Sequence, residues 1–187
     1  MLIKDHLLKD HIFLKSPNFN DRPNLVHPTL IVIHCISLPE GSYDNQNVED
    51  FFLNKLDFNL NQSFNDIKDM KVSSHIYIKR CGKIIQFVPF NKRAWHAGIS
   101  CFNGIENCND YSIGIELQGT DQEPYEDKQY ISLISITSLL LKHYDSLNKK
   151  NIVGHSDIAP NRKSDPGKQF DWNRYIKNVW FKKNAGD

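Results

Sequence analysis

The run Thr29-Leu30-Ile31-Val32-Ile33 carries no charge and no polar alternation, and it ends on His34. A continuous apolar run of this length suits a strand buried on both faces, as in a parallel sheet covered by helices. Such a strand delivers an imidazole to its carboxyl end, where open α/β sheets collect ligands. Ser74-His75-Ile76-Tyr77-Ile78-Lys79-Arg80 alternates, Cys81-Gly82-Lys83 turns and Ile84-Ile85-Gln86-Phe87-Val88 returns, a hairpin expected beside the His34 strand. In Ser112-Ile113-Gly114-Ile115-Glu116-Leu117, alternation puts Ile113, Ile115 and Leu117 on one face and Gly114 and Glu116 on the other, so Glu116 lies on a face that a glycine keeps open.

Residues 126–144 contain neither Gly nor Pro, begin with acidic residues and space Tyr130, Ile134, Leu141 and Tyr144 as one helical face, which predicts the main packing helix. A short helix is expected over Asn47 to Lys55, a polar loop placed to grip a ligand over Asp57 to Lys71, and a brief strand at Ile152-Val153. A terminal amphipathic helix is expected over Phe170 to Phe181, and an irregular surface path over Ser16 to Pro28. Strands interleaved with helices make the fold class α/β, or mixed α+β, and 187 residues suit one domain over 1–187.

With a formal net charge of +1 and dispersed basic residues, the chain lacks the clustered positive face that neutralises phosphates, so no nucleic-acid partner is expected. No stretch approaches the roughly 18 consecutive apolar residues of a membrane span. The first residues, Met1 to His11, break every apolar pair with charge, unlike an export signal. A soluble cytoplasmic protein is expected. Cys35, Cys81, Cys101 and Cys108 form no Cys-x-x-Cys pair and are expected reduced, the alternative being a Cys101–Cys108 loop in an oxidising compartment.

Near the C-terminus, the run Gly154-His155-Ser156-Asp157-Ile158-Ala159-Pro160-Asn161-Arg162-Lys163-Ser164-Asp165-Pro166 offers two metal-ligating side chains, His155 and Asp165, with Lys163 beside them. With His34 as third ligand this is a two-His, one-carboxylate set of the kind that catalytic zinc uses. A cation close to the ligands suits charge developing on an oxygen, as in amide hydrolysis. Glu116, a carboxylate in an otherwise apolar strand, must be paired, exposed on the open face or functional, and a glutamate beside a metal is the usual general base. His75, and His96 in Ala94-Trp95-His96-Ala97-Gly98, either support the sheet and pocket wall or touch ligands and substrate.

In chain order, Ile33-His34-Cys35-Ile36-Ser37-Leu38-Pro39, Val72-Ser73-Ser74-His75, the segment from Val88 to Gly98, the segment from Cys108 to Leu117, and Gly154-His155-Ser156-Asp157-Ile158-Ala159-Pro160 resemble the zinc-dependent N-acetylmuramoyl-L-alanine amidase family. That family shares its fold with bacteriophage T7-type lysozyme and peptidoglycan recognition proteins. The resemblance implies a central mixed β-sheet flanked by helices. It implies one Zn2+ held by His34, His155 and Asp165, with Glu116 as the base on the attacking water and Lys163 stabilising the oxyanion. T7-type relatives place a tyrosine before the position like His75 and a cysteine in place of the aspartate. Ser74 and Asp165 here point instead to the branch that cleaves the lactyl–L-alanine amide of 1,6-anhydro-muropeptides in cytoplasmic recycling.

The partner so implied is the anhydro-muropeptide, with no membrane or obligate protein partner and a monomeric state. Substrate contacts are expected from Lys71, Trp95, His96, Asn107 and Cys35, and support for the ligands from His75. Cys35 stands where an asparagine is usual, and Asn107 and Lys71 where arginines are usual, which weakens or rearranges contacts to the stem-peptide carboxylates, because arginine binds them bidentately. The alternatives are an endolysin-type amidase acting on intact peptidoglycan and a non-catalytic muropeptide-binding protein.

Overall fold

The protein, a computed structural model, is described over residues 1–180. Its core is a six-stranded sheet in which the strands run, edge to edge, Ile152–Gly154, Leu30–Ile36, Ser112–Gln118, Ile76–Ile78, Ile84–Gln86 and Ile12–Phe13. Every neighbouring pair is parallel except the hairpin Ile76–Ile78 with Ile84–Gln86, so the sheet is mixed. The hairpin is therefore not beside the His34 strand. The Glu116 strand lies between them, because it pairs along its length with Leu30–Ile36 and also takes up Ile76–Ile78.

Alternation along these buried strands sorts side chains to two faces. Ile31, Ile33, Ile76, Ile78, Ile113, Ile115 and Leu117 meet the long helix Asp127–His143, which buries Tyr130, Leu133, Ile136, Leu140 and Leu141 against them. That helix begins with the Glu126 N–H donating to Gln129 Oε1 at 3.1 Å and ends with Lys142 and His143 against its negative pole. Ile134 is only half-buried, and Tyr144 caps the helix instead of continuing it. Trp172–Asn178 forms the terminal helix, and Tyr175 of this helix is fully buried; Phe181, the last residue of the expected span, lies outside the described residues.

The other face carries the site. Two smaller apolar clusters flank it, one built from Val48, Phe51, Phe52, Tyr77 and Phe87, the other from Leu30, Val32, Ala97, Cys108 and Ile158. The short helix Asn47–Phe52 belongs to the first, followed by two 3-10 turns within the expected loop, Phe58–Leu60 and Gln62–Ile67, where Asp57 and Asn61 side chains accept from the backbone two residues on. The N-terminal segment is more ordered than its composition predicts: Phe19–Asp21 pairs antiparallel with Lys92–Ala94. Next to it the buried Arg22 donates to the carbonyls of Phe90, Asn109, Asp110 and Ser112 at 2.8–3.2 Å. Among the described residues all four cysteines are unpaired, and no helix is long and apolar enough to cross a membrane.

Candidate active site

Two strands, a one-turn helix and one loop bring His34, His155 and Asp165 together. His34 lies near the carboxyl end of its strand, and the adjacent Ile152–Gly154 strand ends on a glycine that leads directly into a one-turn helix beginning at His155. A Cβ at Gly154 would stand 2.8 Å from Pro166 Cδ, so the missing side chain lets the Asp165–Pro166 segment close on the start of that helix. The Ser156 N–H then donates to the Asp165 carbonyl at 2.9 Å.

His34 Nδ1 and His155 Nδ1 are 2.9 Å apart, and Asp165 Oδ2 lies 3.2 and 3.1 Å from them. Outer partners account for the other ring nitrogens. His155 Nε2 faces the Ala97 carbonyl at 3.0 Å, which can only accept, so this nitrogen carries the proton and Nδ1 presents a lone pair. His34 Nε2 lies 2.9 Å from His96 Nδ1, and His96 Nε2 lies 3.1 Å from Ser112 Oγ, a chain satisfied when each Nε2 donates outward. Burial pushes the His34 imidazole down to about 4 and the His96 imidazole well below its ordinary value, which keeps both rings neutral. Two imidazole lone pairs and a carboxylate oxygen aimed at one point repel one another unless a cation lies between them. The donor set fits a metal ion.

Glu116 is the register partner of His34 on the neighbouring strand and is almost fully buried, with Oε2 lacking a hydrogen-bond partner. Burial raises its carboxyl well above the usual range, Asp165 adds to the rise and Lys163 opposes it. A cavity of about 710 Å³ opens over these groups, lined by Glu116, His155, Lys163 and Asp165, with Trp95, His96, Cys35 and Lys71 along its walls. The loop Gln62–Ile67 supplies Ser63, Asp66 and Ile67 to the rim.

The remaining expected positions sort differently. Asn107 is exposed, in a left-handed turn position, and lines no part of this cavity. His75 is buried behind the site: its Nδ1 accepts from the Gly114 N–H at 3.1 Å and its Nε2 donates to the Lys92 carbonyl at 2.9 Å, so it braces the sheet and touches no ligand side chain. His96 is the histidine that reaches His34, and it sits where Gly114 has no side chain; a Cβ there would be 2.5 Å from the ring. The face of Gly114 is thus filled, not open. Asn109 was not singled out by its sequence context, yet its Oδ1 accepts from the N–H groups of both His96 and Ala97. Cys35 packs with the helix-side cluster, on the opposite strand face from His34, and also lines the cavity.

A mixed sheet with a two-His, one-Asp centre at its strand ends and a carboxylate beside it defines a hydrolase of the metal-dependent amidase type. The chain belongs to the N-acetylmuramoyl-L-alanine amidase family, whose profile matches residues 24–168. It is 49% identical over 177 residues to the 1,6-anhydro-N-acetylmuramyl-L-alanine amidase AmpD of Haemophilus influenzae, covering 95% of this chain and 96% of that one. Its fold superposes on a crystal structure of AmpD with a TM-score of 0.94 at 43% identity, covering 96% of this chain and 100% of the other. It also matches Escherichia coli AmiD in complex with anhydro-N-acetylmuramic acid-L-Ala-D-gamma-Glu-L-Lys, with a TM-score of 0.61, 30% identity and coverage of 83% and 58%.

Proposed function

We propose that residues 1–187 work as one amidase domain that hydrolyses the amide between the lactyl group of 1,6-anhydro-N-acetylmuramic acid and L-alanine of the stem peptide, in the cytoplasm, with zinc as the ion. The observation that carries this reading is the convergence of His34 Nδ1, His155 Nδ1 and Asp165 Oδ2, with Glu116 the register partner of His34 and Glu116, His155 and Asp165 lining one cavity. An N2O donor set is typical of catalytic zinc, and the likeness to AmpD over nearly the whole chain supports the substrate class.

When bound, the ion polarises the scissile carbonyl and acidifies the attacking water. Glu116 lines the cavity, and its carboxylate, whose buried Oε2 has no hydrogen-bond partner, takes the water's proton and then hands it to the departing alanine nitrogen. Its raised basicity suits both transfers. Lys163, on the exposed loop next to Asp165, presents its ammonium to the oxygen on which negative charge develops. Lys71 and Trp95 line the groove where the stem peptide and sugar lie.

The test is mass spectrometry of products from zinc-loaded protein, with and without chelator, given anhydro-muropeptide in one reaction and intact sacculi in another. Chelator-sensitive release of free peptide from the soluble substrate alone is the expected result. Release from sacculi would move the activity to a lytic amidase, and binding without cleavage would leave a recognition protein.

A further inference from the structure

Arg162 has a place that its neighbours in sequence do not suggest. Its Nη2 donates to the Ala97 carbonyl at 2.6 Å and to the Ile99 carbonyl at 2.7 Å. The Ala97 oxygen is also the acceptor for His155 Nε2, and Arg162 Nη2 lies 3.4 Å from that ring nitrogen. A carbonyl oxygen has two lone pairs and can serve both donors. Ala97 is gripped from its other side as well, its N–H donating to Asn109 Oδ1 at 2.8 Å. Between the two carbonyls stands Gly98, at φ +59°, where a Cβ would approach Arg162 Nη2 to 3.3 Å.

We propose that Arg162 is a positioning residue for the metal centre: by bridging the Ala97 and Ile99 carbonyls it fixes the acceptor that orients the His155 ring and tethers the loop carrying Lys163 and Asp165 to the facing wall. A guanidinium suits this task because it is weakly hydrated, permanently charged and has rigidly placed donors. Outer partners of ligating histidines set ring orientation, and losing one typically weakens metal binding by about 10- to 100-fold. The proposal rests on the reading of His155 and Asp165 as metal ligands.

The experiment compares wild type, Arg162→Ala, Arg162→Lys and Gly98→Ala for zinc affinity, by competition with a chromophoric chelator, and for the visible absorption of the cobalt-loaded protein. Circular dichroism reports folding. Arg162→Ala should bind zinc about 10- to 100-fold more weakly, with a changed cobalt spectrum, and millimolar methylguanidinium should restore part of the affinity. Affinity and spectrum equal to wild type would overturn the proposal. If Arg162→Ala does not fold, Arg162→Lys and Gly98→Ala decide: weaker zinc binding supports it and unchanged binding overturns it. A wild-type protein that takes up no zinc would instead defeat the reading of the metal centre, a result distinct from a zinc-binding wild type with equally tight variants.

Discussion

Glu116 and His34 sit directly opposite one another on adjacent parallel strands, and both point away from the long helix. The separation of these two side chains is therefore set by the spacing of hydrogen-bonded strands, about 4.8 Å, and not by a loop. Side chains held this way need little reorganisation when substrate arrives, which is what electrostatic preorganisation demands.

Replacing Glu116 with Gln should lower turnover by about 10²- to 10⁴-fold while leaving zinc content unchanged, as judged by product assay and metal analysis. The folded carboxyl has a raised pKa, so above its unfolded pKa its charge opposes folding. Removing that charge should raise the melting temperature at neutral pH. An active Glu116→Gln protein would rule out this residue as the base.

The base must be ionised to accept a proton, so activity rises with pH through the Glu116 pKa. In the metal-free site that pKa lies above the ordinary carboxylate range, and a bound cation would draw it down. Burial and Asp165 push that pKa up and Lys163 pulls it down, so Lys163→Met should shift the acid limb of kcat/KM to higher pH. Turnover should also fall by about 10²- to 10³-fold, as for loss of one oxyanion donor, with zinc retained. An acid limb that stays in place would disconnect Lys163 from Glu116.

Asp165→Ala should strip or weaken the zinc. Added zinc at 100 times its dissociation constant stabilises a protein that binds only when folded by about 2.7 kcal/mol, so thermal melts of wild type should rise with zinc. Those of Asp165→Ala should not. An active, zinc-free variant would overturn the mechanism.

Gly114→Ala tests the seat of His96. Its Cβ would collide with the ring that accepts from His34, so it should weaken zinc binding by about 10- to 100-fold, as His96→Ala should, in a protein that keeps its secondary structure. Equal zinc affinity in Gly114→Ala and wild type would mean that His96 does not hold His34.

The strands, the long helix and the convergence of His34, His155 and Asp165 were legible because each rests on a local pattern, an apolar run or a residue type at a strand end. Strand order was not. Whether the His34 strand neighbours the hairpin or the Glu116 strand depends on how parallel crossovers pack, which leaves no mark on either segment. His75 and His96 lie in similar contexts, and only the gap above Gly114 decides which ring reaches a ligand. Asn107 faces solvent in a left-handed turn position, which spacing does not reveal. The Phe19–Asp21 ladder is too short to show a period.

The family profile begins at residue 24, two positions after the buried guanidinium of Arg22. That side chain clasps the carbonyls of Phe90, Asn109, Asp110 and Ser112, so the boundary drawn by sequence likeness leaves out a contact that ties these segments together. A version trimmed to the matched span would keep His34, His155, Asp165, Glu116 and Lys163. It would also lose the clamp that keeps the back wall of the site in register.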